Sequence, residues 1–163
     1  MLRYGIMRAY PRAMLAISVV LASVAGSGCS PQPPESYTPG LGEIMTLQQM
    51  RHSKLWFAGH ASHWDLAAYE LKELREGFDD VVRFHPTHES TAVPLERLVP
   101  EMMDASIEEL DEIVTAKDPK RFVAGFDELT KACNACHEVT HFGFNVVQRP
   151  SQNPYTNQVF QPQ

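Results

Sequence analysis

Basic residues are scarce in this chain once its first dozen positions are passed. Arg3, Arg8 and Arg12 are three of the 14 Lys and Arg; without residues 1–28, 11 basic side chains face 20 acidic ones and the formal charge moves from −6 to −9. A surface that acidic argues against a nucleic-acid binder and favours a partner presenting a basic patch. Runs of β-branched residues bounded by turn signals are also missing, which leaves no case for a sheet. No internal repeat is visible. The apolar stretch from Met14 to Ala25 is about a dozen residues, short of the roughly 20 that a membrane-spanning helix needs. With the acid-free, arginine-bearing flank before it and Gly26, Ser27 and Gly28 after it, residues 1–28 read as an export signal.

Cysteine is sparse as well: there are three, an odd number. Two of them lie in Cys133-Asn134-Ala135-Cys136-His137, the spacing at which c-type haem is attached. Each thiol can add across one porphyrin vinyl group, and the imidazole next in line can reach the iron. Two other chemistries use paired cysteines. A thioredoxin-like couple needs a βαβ context, and the flanks here are helical; a zinc site needs further ligands at knuckle spacing, and no second pair exists. The expected cofactor is one covalent haem c, held by Cys133 and Cys136 with His137 as the proximal metal ligand.

The third cysteine, Cys29, follows the signal directly. Ser27-Gly28-Cys29 resembles a bacterial lipoprotein processing site, which implies lipidation of Cys29 and a lipid-anchored protein on the periplasmic side of a membrane. Gly26 stands where that family prefers an aliphatic residue. Ordinary cleavage after Ala25 is the competing outcome and would leave a soluble periplasmic protein with a free Cys29 thiol.

Residues 29–40, rich in proline and poor in aliphatics, read as a tether. Residues 41–143 carry helical periodicity and read as one all-α domain. Helix A is expected over 42–59, with Ile44, Leu47, Arg51 and Leu55 on one stripe and Leu41, Met45, Gln48 and His52 beside it. Helix B is capped by Ser62, with Ala67, Leu71, Leu74, Phe78 and Val81 inward. His85-Pro86 ends it. A proline-punctuated connection with a short helix over 95–99 leads to helix C over 104–117, which turns Ile107, Leu110, Ile113 and Val114 inward. Helix D opens on Asp118-Pro119 and carries Phe122, Phe126, Leu129 and Cys133 on one line, so haem is expected inside the bundle. Residues 144–163 hold Phe144, Tyr155 and Phe160 and a single charge at Arg149, which suggests a tail lying along the body.

Four helices with Cys-x-x-Cys-His near the end of the last one resemble the class II cytochromes c, the cytochrome c′ and c-556 group, over roughly 41–141. The resemblance implies an antiparallel four-helix bundle with haem near the C-terminal end of the last helix, and a distal residue supplied from the start of the first. Met45 is then the candidate distal ligand and His52 the second candidate; a methionine there implies a six-coordinate carrier of single electrons, not an enzyme. A pocket with neither ligand implies the alternative, a five-coordinate protein that binds NO or CO. Relatives in this group often pair through their first helices, so a homodimer stays open.

Other residues have blander roles available. His141 shares a face with His137. The pairs His60/His63 and His85/His88 have spacings that suit copper or zinc but lack accompanying carboxylates or thiols. Arg51 and Lys54 suit haem propionates or neighbouring acids equally well. Trp56 and Trp64 flank the A–B turn, where they would seal one end of the bundle. Peroxide or nitrogen-oxide chemistry at an open haem has no distal acid or base to support it.

Overall fold

The computed structural model describes residues 37–163; the export signal and Cys29 lie outside the described residues. The chain forms four helices, α1 Leu41–His60, α2 Trp64–Phe84, α3 Leu95–Thr115 and α4 Pro119–Val139, with no strand among the described residues. The short turns 61–63 and 116–118 fold α1 back on α2 and α3 back on α4, and the longer connection 85–94 joins the two hairpins into an antiparallel bundle. No described helix is long and apolar enough to cross a membrane.

Each helix starts for a local reason. Asp118 accepts from the N–H groups of Lys120 and Arg121 at 2.9 and 3.2 Å, and Pro119 at the first position gives up no hydrogen bond it would have made. The cap of α2 is His63, not Ser62: His63 Nδ1 accepts from Leu66 N–H at 3.3 Å, while Ser62 has φ 59° and belongs to the turn.

Helix α3 is the larger departure from expectation. A single helix runs from Leu95 through Pro100, where a short helix and a separate helix C were expected. Proline in a helix interior costs about 3 kcal/mol. Against that, Leu95, Leu98, Val99 and Met103 are all buried on the same face, each contributing roughly 1.5–3 kcal/mol. The burial outweighs the missing N–H, so the apolar stripe runs on without a break into Ile107, Leu110, Ile113 and Val114.

Helix α1 also turns a different face inward. Leu47 is 42% exposed, whereas Gln48 and His52 are buried beside Ile44 and Leu55. Two polar side chains are tolerated there because both are satisfied: Gln48 Nε2 donates to the Leu74 carbonyl at 2.8 Å, and His52 Nε2 meets Thr130 Oγ1 at 2.9 Å. Gly77 makes the first contact possible, since a Cβ at that position would overlap the Gln48 side-chain oxygen. Arg51 secures the same seam, donating to the Glu73 carbonyl at 2.7 Å and pairing with its carboxylate at 3.1 Å.

The two ends of the bundle are filled differently. Where α1 and α3 finish and α2 and α4 begin, Trp56, Trp64, Phe122 and Phe126 stack and tilt against one another with ring centroids 5.1–6.2 Å apart. Phe122 is fully buried, and its ring lies where Gly59 has no side chain; a Cβ on Gly59 would overlap it. From the far end of α4 the tail returns along the seam between α4 and α1. Arg149 bonds Asp127 of α4 at 2.7 Å with its guanidinium 4.7 Å from the Trp56 ring of α1; Tyr155 O–H donates to the Met50 carbonyl, and Phe160 is buried against Phe57.

Replacing Gly59 by Ala tests the ring-against-glycine contact. Helix propensity alone would favour alanine by about 1 kcal/mol, but Phe122 is held by three other aromatic rings and cannot swing aside. A net loss of about 1–3 kcal/mol in urea denaturation is expected; equal or greater stability would show that the contact does not restrain α1 against α4.

Candidate functional site

At the other end, where α1 and α3 begin and α2 and α4 finish, the interior is hollow. A cavity of about 310 Å³ is walled by Leu41, Met45, Gln48 and His52 of α1, Leu74, Phe78 and Val81 of α2, Leu95, Val99 and Met103 of α3, and Cys133, Cys136, His137 and Thr140 of α4. The α4 set repeats at i, i+3, i+4, i+7, so one helical face delivers all four groups to one wall. The α1 set, at i, i+4, i+7, i+11, does the same from across the bundle. His88, Phe142, Asn145 and Val147 complete the lining. The structure thus brings Cys133, Cys136, His137, Met45 and His52 to a single cavity.

The two thiols are free and half-buried. Burial pushes Cys133 up to about 12, with further help from neighbouring Cys136, which burial also raises. Both sit in the last turns of α4, where the helix end disfavours negative charge. A disulfide-exchange couple needs the opposite, a thiolate stabilised at a helix N-terminus. Among the described residues no three His, Cys, Asp or Glu side chains gather as a metal-binding group, so a zinc knuckle has no ligand set here.

His137 is oriented by a backbone acceptor. Its Nδ1 lies 2.7 Å from the Asn145 carbonyl, and a carbonyl only accepts, so Nδ1 carries the proton and Nε2 keeps its lone pair. That is the tautomer that an iron ligand needs. The bond forms because the chain reverses immediately after α4. Phe142 N–H bonds the His137 carbonyl at 2.7 Å and His141 N–H bonds the Glu138 carbonyl at 3.2 Å, with His141 at φ 65° in the left-handed slot that such helix ends usually give to glycine. His141 itself is exposed and contributes backbone geometry to the site.

Met45 is half-buried on the opposite wall. His52 is committed elsewhere. Thr130 Oγ1 donates to the Phe126 carbonyl at 2.9 Å, so it accepts from His52 Nε2–H, the nitrogen by which a histidine would reach a haem iron. Burial lowers His52 to about 4 and keeps it neutral. Met103, fully buried in the cavity wall, is a second thioether that sequence reasoning missed. Its signal was the stripe Leu95, Val99, Met103, which becomes legible only when the helix is carried through Pro100.

The remaining histidines have separate structural tasks. His60 stacks on Trp56 at 5.0 Å, His63 caps α2, His85 donates to the Pro39 carbonyl at 2.8 Å, and His88 Nδ1 accepts from Ser90. Arg51 is taken by Glu73, and Lys54 lies 5.3 Å from the Tyr155 ring.

No family model, curated protein or solved structure matches this chain. Two neutral thiols and a correctly tautomerised imidazole on one wall, a thioether on the wall opposite and apolar residues between them fit a covalently bound porphyrin with a histidine-ligated iron. The residues present fit haem c.

Two measurements probe this end of the molecule. Folding depresses the pKa of His52 from 6.5, so its stabilising effect is complete above pH 6.5 and is lost as pH falls toward 4. Chemical denaturation at pH 4.5 relative to pH 7.5 should show a loss of about 2–3 kcal/mol that is absent in His52→Gln; identical acid sensitivity in the variant would contradict a buried neutral His52. His141→Gly should raise stability by about 1 kcal/mol through relief of the left-handed backbone, and a loss would mean that the imidazole itself holds the turn.

Proposed function

We propose that this chain is an exported monohaem c-type cytochrome that carries single electrons, with haem joined through Cys133 and Cys136 and ligated by His137. The observation that carries this reading is the shared wall: both thiols and His137 face one apolar cavity, with Nδ1 of His137 bonded to Asn145 so that Nε2 is left for iron. Haem supplies the one-electron chemistry when bound. The residues of the chain bind and orient it, exclude water through the apolar lining and offer a second ligand from across the cavity. Met45 is the proposed distal ligand. The class II cytochromes c are the proposed family, on the strength of the bundle and the late position of the haem motif.

A basic partner is part of the proposal. The segments that surround the cavity end, 37–50, 79–97 and 132–148, contain Glu43, Asp79, Asp80, Glu89, Glu96 and Glu138 against Arg83 and Arg97. Phe144 and Val146, 83% and 70% exposed, lie in the loop that also supplies Asn145. Apolar residues amid a net negative charge suit a transient electron-transfer contact with a protein of opposite sign. Export and the Cys29 lipid anchor belong to the same reading, on the sequence of residues 1–29.

The test is the optical spectrum of purified protein, oxidised and dithionite-reduced, with and without CO. A sharp reduced α band indifferent to CO, together with a ferric near-infrared methionine band, is the expected result. Met45→Ala should abolish that band and admit CO, while Met103→Ala should leave both unchanged. A broad high-spin spectrum that shifts promptly with CO in the unaltered protein would instead support the gas-binding reading. Absence of covalent haem after expression with a c-type maturation system would refute both.

A further inference from the structure

The cavity explains Cys133, Cys136 and His137 but not the residue just after the first thiol. Asn134 points its side chain at the tail and makes two bonds to one residue: its Nδ2–H donates to the Val147 carbonyl at 2.8 Å, and its Oδ1 accepts from Val147 N–H at 2.7 Å. A primary amide that donates to the C=O and accepts from the N–H of one residue fixes register as well as distance. Two residues before Val147 stands Asn145, whose carbonyl accepts from His137 Nδ1–H. On its other side the loop is held by the reversed turn, through Phe142 N–H on the His137 carbonyl at 2.7 Å and Asn145 N–H on the Phe142 carbonyl at 2.8 Å. The Asn145 carbonyl is therefore suspended between two anchors. One is the end of α4 itself, and the other is Asn134.

We propose that Asn134 is a positioning residue for the axial histidine: it clamps Val147 and thereby holds the Asn145 carbonyl against Nδ1 of His137, fixing the rotation and tautomer of the imidazole. This rests on the haem reading above. Its chemistry follows from the bond it protects. A carbonyl on Nδ1–H makes Nε2 a stronger electron donor, which favours the oxidised iron and lowers the reduction potential. Releasing the carbonyl leaves the imidazole free to turn and weakens its donation.

The experiment uses the full-length protein with haem attached. Asn134→Leu keeps the bulk of the side chain and removes both bonds; Val147→Pro reaches the clamp from the tail, removing the donor N–H without touching any residue between the cysteines. Three quantities are read: covalent haem content, the potential together with the iron–histidine stretch of the ferrous state, taken by resonance Raman in a Met45→Ala background where the sixth position is open, and amide hydrogen exchange across 142–149. Haem content equal to the unaltered protein, exchange in the tail faster by about ten-fold, a lowered stretching frequency and a raised potential are expected in either variant. Faster tail exchange with an unchanged stretch and potential would overturn the proposal, reducing Asn134 to a tail fastener. Unchanged exchange would overturn it as well, by showing that the clamp holds nothing. Lack of covalent haem in the unaltered protein is a different result. It would sink the cytochrome reading and with it any role at an axial ligand, while the exchange data would still report whether Asn134 restrains the tail.

Discussion

The meeting of the Phe122 ring with the bare backbone of Gly59 sets how α1 and α4 share the bundle. At that point the two helices are joined through an aromatic cluster with no room to spare. Along the remaining length of their seam only a few groups reach across, His52 to Thr130 among them, before the helices diverge around the cavity. A bundle packed to uniform density would have no place for a large planar ligand. Here the dense end bears the cohesion and the opposite end is left open between the thiols of α4 and the thioether of α1.

That division also separates two kinds of stability. The aromatic end, with Leu110, Ile113, Phe122 and Phe126 fully buried, holds its helices by contacts internal to the chain. The cavity end has apolar walls that line a cavity, so its helices touch one another less directly there. Order there depends more on what bridges the helices: the Gln48 bond to α2, the Arg51–Glu73 pair and the tail segment fastened to Asn134 through Val147. Farther along the tail, toward the aromatic end, the Arg149–Asp127 pair is partly exposed and contributes little by itself. Its geometry, with the guanidinium between a carboxylate and an indole, does more to set the path of the tail than its energy suggests.

Much of this was legible in the sequence, and the illegible parts share a cause. The inward positions of α2 and α4, apart from the half-buried Phe78 and Cys133 at the cavity, and the Asp118-Pro119 start follow from period and capping, which are local properties. Antiparallel order then places the start of α1 beside the end of α4, so the approach of Met45 to the Cys133–His137 segment is also a matter of topology. What local rules hid were choices made by partners distant in the chain. Gln48 and His52 turn inward, and Leu47 outward, because Leu74 and Thr130 offer hydrogen bonds that periodicity cannot weigh. Pro100 remains helical because the stripe from Leu95 to Met103 is buried by other helices. Asn134 and Asn145 gave no signal at all, since each finds its partner only after the chain has turned back.

The turn at His141 carries a consequence for how this domain tolerates change in length. Loops at the end of a last helix ordinarily accept insertions, because nothing downstream depends on their register. Here Asn145 and Val147 are read against His137 and Asn134 by separate bonds, one to the Asn145 carbonyl and a pair to the N–H and C=O of Val147. An added residue between Phe142 and Asn145 would present the wrong backbone group to both. The few residues after α4 are therefore bound to a fixed count, and the Cys133–His137 segment extends in effect as far as Val147.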